Sequence, residues 1–137
     1  MKQEWNFWVL GGDQRQAALA NALAEDGHRV RAWALEDGEL DHRVEPAQTL
    51  ESIARAHCVI FPLPMRGEGE RLNAPLCPES HTLAEVFSHL GLEQYICGGR
   101  CDAATTALAG QYGLTIHDYF TREELAVANA VPAALAV

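Results

Sequence analysis

Short apolar runs alternate with helix-spaced segments along almost the whole chain, and this alternation limits the fold more than any single motif. Phe7 to Leu10 is an apolar run ended by Gly11-Gly12. Gln16 to Glu25 places Ala17, Leu19, Ala20, Leu23 and Ala24 at helical spacing, and Asp26-Gly27 closes that helix. His28 to Leu35 alternates polar and apolar residues and reads as a second strand, while the acidic, turn-rich Glu36 to Pro46 reads as a loop. Leu50 to Ala56 predicts a short helix. His57 to Leu63 is a continuous apolar run, the mark of a strand covered on both faces. Pro64 to Ser80, with three prolines and two glycines, is the least regular stretch. Ser80 to Leu90 then predicts a helix with Leu83, Val86, Phe87 and Leu90 on one face. Gln94 to Cys97 is a strand stopped by Gly98-Gly99, Asp102 to Tyr112 a helix ended by Gly113, and Leu114 to Tyr119 the last strand. Thr121 with Glu124 forms a capping box that opens a final helix.

Five strands alternating with helices predict a three-layer α/β/α domain with a five-stranded parallel sheet, flavodoxin-like or Rossmann-like in topology. Right-handed crossovers bring every strand-to-helix turn to one edge, where such folds bind ligands near the reversal of strand order. Gly11 to Gln16, Pro62 to Ser80 and Gly98 to Asp102 lie on that edge. The 137 residues fit one domain, with no internal repeat or linker. The formal net charge of -9 argues against nucleic acid or an anionic membrane as partner. No apolar run reaches the roughly 20 residues of a membrane helix, and the N-terminus lacks a signal-peptide pattern, so the expected location is the cytoplasm. Cys58, Cys77, Cys97 and Cys101 read as reduced, partly buried thiols. Cys77 with His81, or Cys97 with Cys101, lacks a second pair at zinc-site spacing, so no metal is expected.

The first turn invites a dinucleotide reading, but G-x-G-x-x-G is not met. Asp13 and Gln16 stand where the second and third glycines belong, and a carboxylate there repels a pyrophosphate. The turn also lacks the hydroxyls of a flavin phosphate loop, and the third strand ends Phe61-Pro62-Leu63-Pro64 without a phosphoryl-acceptor aspartate. What remains is a polar site: Asp13 at a helix N-terminus, where it caps backbone N–H groups, and Arg15, whose planar fork suits a carboxylate. The alternative is that Asp13 only caps and Arg15 is a solvated side chain. Arg66-Gly67-Glu68-Gly69-Glu70-Arg71 is either a ligand-facing loop or an exposed hairpin. Gly98-Gly99-Arg100 is either a third wall of the site or only a helix entry capped by Asp102. The six histidines read as structural or surface groups.

Together, Val9 to Gln16, Val59 to Pro64 with Gly67-Glu68-Gly69, Tyr95 to Gly99, and Val127-Ala128-Asn129-Ala130-Val131-Pro132 form an ordered set of motifs. The set resembles the N-terminal domain of the dipicolinate synthase A-subunit. The resemblance implies a flavodoxin-like domain on the substrate side of an oxidoreductase that forms dipicolinate (pyridine-2,6-dicarboxylate) from a dihydrodipicolinate-type precursor in sporulation. It assigns a small dicarboxylate to Gly12, Asp13, Arg15, Arg66, Gly67, Glu68, Gly69, Gly98 and Gly99, and an interdomain hinge to Asn129 and Pro132. NAD(P) would sit on the family's second, dinucleotide-binding domain, which would begin where this chain stops. No cofactor is then expected on this domain, and catalysis is not expected of this chain alone. The implied partner is a flavoprotein resembling the synthase's B-subunit. A reading from another class is a non-catalytic binding or assembly module, in which the apolar Leu125 to Val137 pairs with a second copy or a partner.

Overall fold

The computed structural model describes residues 5–35, 40–99 and 102–118. β1 (Asn6–Leu10) runs up the middle of the molecule and turns into α1 (Gln14–Glu25). Then come β2 (Arg29–Trp33), β3 (Val44–Pro46), a single 3-10 turn at Ile53–Arg55 and β4 (Cys58–Ile60). α2 (Leu83–Phe87), β5 (Tyr95–Gly98), α3 (Ala103–Gln111) and β6 (Ile116–Asp118) follow. Every strand pairing is parallel, and the sheet order is β3-β2-β1-β4-β5-β6.

The expectation of five strands is corrected to six. The sixth is β3, which the sequence pattern assigns to a loop. It has three residues, of which only Val44 is buried, and it ends on Pro46. A proline-terminated edge strand carries too little alternation to stand out. It matters for topology: without β3 the order is that of flavodoxin-like sheets, and with β3 it is that of dinucleotide-binding sheets. Two helices are also shorter than expected. The 50–56 segment holds only the 3-10 turn, and α2 starts at Leu83 rather than near Ser80. Residues 81–82 are pulled into extended pairing with the preceding hairpin: Leu72 N–H donates to His81 O at 2.9 Å, and Arg71 bridges Thr82. Thr82 then caps α2 by accepting from Glu85 N–H at 3.1 Å. The capping box at Thr121 and Glu124, the hinge at Asn129 and Pro132, Arg100, Cys101 and the apolar tail lie outside the described residues.

Alternate residues of the central strands face opposite ways and both faces are buried, which is why β1 and β4 read as unbroken apolar runs. Phe7, Val9, Val30, Ala32, Cys58 and Ile60 meet Ala17, Ala20, Leu23 and Ala24 of α1. Trp8, Leu10, Trp33, Val59, Phe61 and Ile96 meet Leu83, Val86 and Phe87 of α2 and Ala109 of α3 on the other face. The crossover from β1 therefore leaves toward one face and that from β4 toward the other. Their carboxyl ends part, and a crevice opens above the β1–β4 pair. No helix among the described residues is long and apolar enough to cross a membrane.

Candidate functional site

Gly11 and Gly12 take φ of 53° and 82°, the left-handed region that glycine enters freely. This sharp turn lets Gly11 N–H donate to Trp33 O at 2.9 Å and Gly12 N–H to Asn73 O at 2.8 Å. A Cβ on Gly12 would lie 2.8 Å from Gln16 Cβ and 3.1 Å from Pro62 Cβ, so the turn is closed around glycine. Asp13 caps α1: its Oδ1 accepts from Arg15 N–H at 3.0 Å. The same carboxylate takes the Arg15 fork, with Nε to Oδ1 at 3.2 Å and Nη2 to Oδ2 at 3.3 Å. That guanidinium hydrogen bond, more than any other cause, holds the Asp13 carboxyl below its ordinary pKa. Arg15 Nη2 also donates to Leu63 O at 3.2 Å, which ties the first turn to the loop after β4. Neither of the two readings of this turn stands alone. Asp13 caps, and Arg15, though 70% exposed, is held in a defined place by Asp13 and Leu63.

Gln16 is the residue that sequence reasoning misses. The motif test treats it only as an absent glycine, yet it is 5% exposed. Its Nε2 donates to Leu10 O at 3.0 Å and to Ile60 O at 3.1 Å. These are the carboxyl-end carbonyls of β1 and β4, at the parting of the strands. A signal exists in the sequence: Gln16 stands four residues before Ala20 and eight before Ala24, on the buried stripe of α1, where a polar side chain must find partners. Asn73 is missed as well. Besides accepting from Gly12, it donates from Nδ2 to Pro64 O at 2.9 Å and pins the irregular loop over the first turn.

Gly12, Asp13, Arg15, Gln16, Leu19, Pro62 and Leu63 line a hollow of about 180 Å³ at this crevice. Pockets for drug-sized ligands run to roughly 300–1,000 Å³. The hollow has the size of a small acid or of one end of a larger molecule.

The other candidate residues, Arg66, Gly67, Glu68, Gly69, Gly98 and Gly99, do not line the hollow. Arg66 to Arg71 is a hairpin: Gly67 N–H donates to Arg71 O at 2.9 Å, Arg66 bridges Leu72, and Gly67, Glu68 and Gly69 are exposed at its tip. Arg66 reaches Gly69 O at 3.0 Å and forms a 2.6 Å ion pair with Asp102. Asp102 caps α3 by accepting from Thr105 N–H at 2.8 Å. Its pKa is lowered first by that backbone donor and then by further partners, Arg66 among them. Gly98 and Gly99 are buried under the β4 loop. A Cβ on Gly98 would meet Met65 Sδ at 2.9 Å, and one on Gly99 would meet Leu63 Cβ at the same distance. Gly99 N–H donates to Pro62 O and Gly99 O accepts from Met65 N–H. These two glycines seat the wall that Leu63 forms.

The histidines at the opposite edge hold structure: Nδ1 of His28 accepts from Trp5 N–H at 3.2 Å, and Nδ1 of His57 accepts from Asn6 N–H at 2.9 Å. Cys58 and Cys97 are buried free thiols, and Cys77 is half-buried. Among the described residues no group of three or more His, Cys, Asp or Glu side chains is placed to hold a metal ion.

No curated protein sequence gives a significant match. Among solved structures, the dipicolinate synthase A chain of Bacillus subtilis superposes with a TM-score of 0.75 at 17% identity, over 99% of this chain and 47% of that one. The dipicolinate synthase A-subunit of Bacillus halodurans superposes with a TM-score of 0.76 at 16% identity, over 98% of this chain and 47% of that one. This chain thus spans about half the length of those proteins, and the likeness at such identities is one of fold. The family model for the N-terminal domain of the dipicolinate synthase A-subunit matches residues 6–120, most of the chain, and the chain belongs to that family.

Proposed function

We propose that this chain is the substrate-side domain of a protein like the dipicolinate synthase A-subunit, serving the formation of pyridine-2,6-dicarboxylate from a dihydrodipicolinate-type precursor in sporulation. One observation carries the reading: in a member of this family, Gly12, Asp13, Arg15 and Leu63 converge on a small hollow where the β1 and β4 ends part. In this reading a ligand carboxylate enters the hollow and takes the Arg15 fork from Asp13. Exposed ion pairs contribute only about 0–1 kcal/mol, so exchanging one carboxylate for another is nearly balanced. Two N–H···O bonds from a planar guanidinium then fix the ligand's orientation. Gly98-Gly99 positions Leu63, while Arg66 to Gly69 stands outside the lining of the hollow. NAD(P) supplies hydride chemistry from the second domain, across a hinge at Asn129 and Pro132, with a flavoprotein resembling the synthase's B-subunit as partner. In this reading this domain binds the diacid and the joined domains carry out the reaction.

The test is titration of pyridine-2,6-dicarboxylate into the full chain, followed by calorimetry and amide chemical shifts. Shifts at Gly12, Arg15 and Leu63, and at least tenfold weaker binding in Arg15→Ala, are the expected results. Unchanged affinity in Arg15→Ala would remove the role given to that residue.

A further inference from the structure

We propose that Gln16 is the specificity-determining acceptor of the hollow, so that the ligand taken there is a small ring acid bearing a hydrogen-bond donor beside its carboxylate. This rests on the proposed function and goes further, because it distinguishes ligands of the same shape and charge pattern.

A glutamine side chain has a donor nitrogen and an acceptor oxygen, and the partners of one end assign the other. Nε2 of Gln16 is taken up by two main-chain carbonyls, Leu10 O at 3.0 Å and Ile60 O at 3.1 Å. Flipping the amide would set its oxygen against both carbonyl oxygens, so the orientation is fixed by the sheet itself. What Gln16 presents to the hollow it lines is therefore Oε1, an acceptor. Among the described residues no donor reaches that oxygen, and the side chain belongs to a residue only 5% exposed.

The neighbouring group has the same character. Asp13 Oδ1 takes two donors from Arg15, while Oδ2 takes one at 3.3 Å and keeps capacity for another. Leu19, Pro62 and Leu63 complete the wall with apolar surface. A ligand whose carboxylate meets Arg15 thus brings its adjacent ring atom against acceptors in an apolar setting. A ring N–H satisfies them. A ring oxygen or a pyridine nitrogen sets lone pair against lone pair and leaves a buried acceptor unpaired, the arrangement that sites built on hydrogen bonds reject most strongly. The hollow therefore favours a ring acid that carries an N–H beside its carboxylate over one that does not.

The test uses the full chain and three ring diacids that are all dianions at pH 7: pyrrole-2,5-dicarboxylate, furan-2,5-dicarboxylate and pyridine-2,6-dicarboxylate. Calorimetry gives affinities and amide shifts at Gly12 and Leu63 locate binding. The pyrrole is expected to bind roughly tenfold more tightly than the other two, with a change at the Gln16 side-chain carbonyl carbon that they do not cause. In Gln16→Met the three affinities are expected to converge. Should that variant fail to fold, the carbonyl-carbon signal in the unaltered chain decides. Equal or tighter binding of the furan or pyridine at this hollow overturns the inference and leaves the proposed function standing. A preference for the pyrrole that persists undiminished in folded Gln16→Met also overturns it. Absence of shifts at Gly12 and Leu63 with all three ligands overturns both.

Discussion

Asp13 and Arg15 show how two residues set one turn. The pair is separable from the helix cap by Asp13→Asn, because Asn caps about as well as Asp but carries no charge. The Asp13 carboxyl is held below its ordinary value chiefly by the Arg15 side-chain bond. A carboxylate whose folded pKa is depressed contributes stability above its unfolded value, near 3.9, and that contribution disappears as pH falls through the folded value. Asp13→Asn should therefore be less stable than the unaltered chain at pH 7, by under about 1 kcal/mol because both side chains are exposed. The gap should close between pH 4 and the lowered folded pKa. Urea midpoints at pH 7 and pH 3 check this, and a gap independent of pH would mean that the pair contributes no stability. Gly11, Gly12 and Asp13 are legible from composition alone, since only certain residues fit a left-handed turn and a helix cap. Gln16 is not, because its partners are strand-end carbonyls, one of them 44 positions away. Local pattern marks a buried polar side chain but cannot name what satisfies it.

Among the elements, the loop between β4 and α2 depends most on neighbours that sequence cannot place. Phe7 to Leu10 and Val59 to Phe61 are recognisable as strands because burial on both faces removes polar residues from them. β3 escapes notice as a three-residue edge, and the pattern misplaces the start of α2 because residues 81–82 pair with a hairpin. Two substitutions probe this region. Gly99→Ala places a Cβ 2.9 Å from Leu63 Cβ, so the Pro62–Met65 segment must shift. Overpacking of this kind costs roughly 1–3 kcal/mol, and here it should also weaken diacid binding through Leu63. Gly110→Ala, with nothing within 4 Å in the last turn of α3, should instead stabilise by under about 1 kcal/mol and leave binding alone. Denaturant titration and calorimetry on both variants separate the two cases. Arg66→Gln removes the 2.6 Å pair to Asp102 that ties the hairpin to α3. With both groups partly exposed the global loss should stay under about 1 kcal/mol. Hydrogen exchange should nevertheless rise at Gly67 and Arg71 without rising in β1 or β4, because local opening and global unfolding are different processes.

At the scale of the whole molecule, the two apolar clusters share one sheet, and this decides how the chain unfolds. Phe7 and Val9 face α1 while Trp8 and Leu10, on the same strand, face α2. Neither face can lose its helix layer without exposing strands that anchor the other, so the clusters should melt together. The chain carries the probes needed. Trp8 and Trp33 are 1% and 4% exposed and belong to the α2-side cluster, whereas Trp5 packs on the α1 side, so with Trp5 replaced by Phe the fluorescence reports the α2 face. Far-ultraviolet dichroism is weighted toward α1, the longest described helix at 12 residues, which covers the opposite face. The two signals should follow one urea transition in the Trp5→Phe chain. Phe87→Ala tests the coupling harder. Phe87 is 1% exposed and its ring lies 5.6 Å from that of Phe61. Its truncation should cost roughly 3–5 kcal/mol, and the dichroism of α1 should shift to lower urea by as much as the tryptophan signal, although Phe87 touches only the far side of the sheet. Fluorescence that moved alone, with the α1 signal left in place, would show two layers folding independently on a shared scaffold. The crevice between β1 and β4 would then be a seam between two separable units. Coincident transitions would instead make it a rigid cleft, able to hold Arg15 and Gln16 in register for a small ligand.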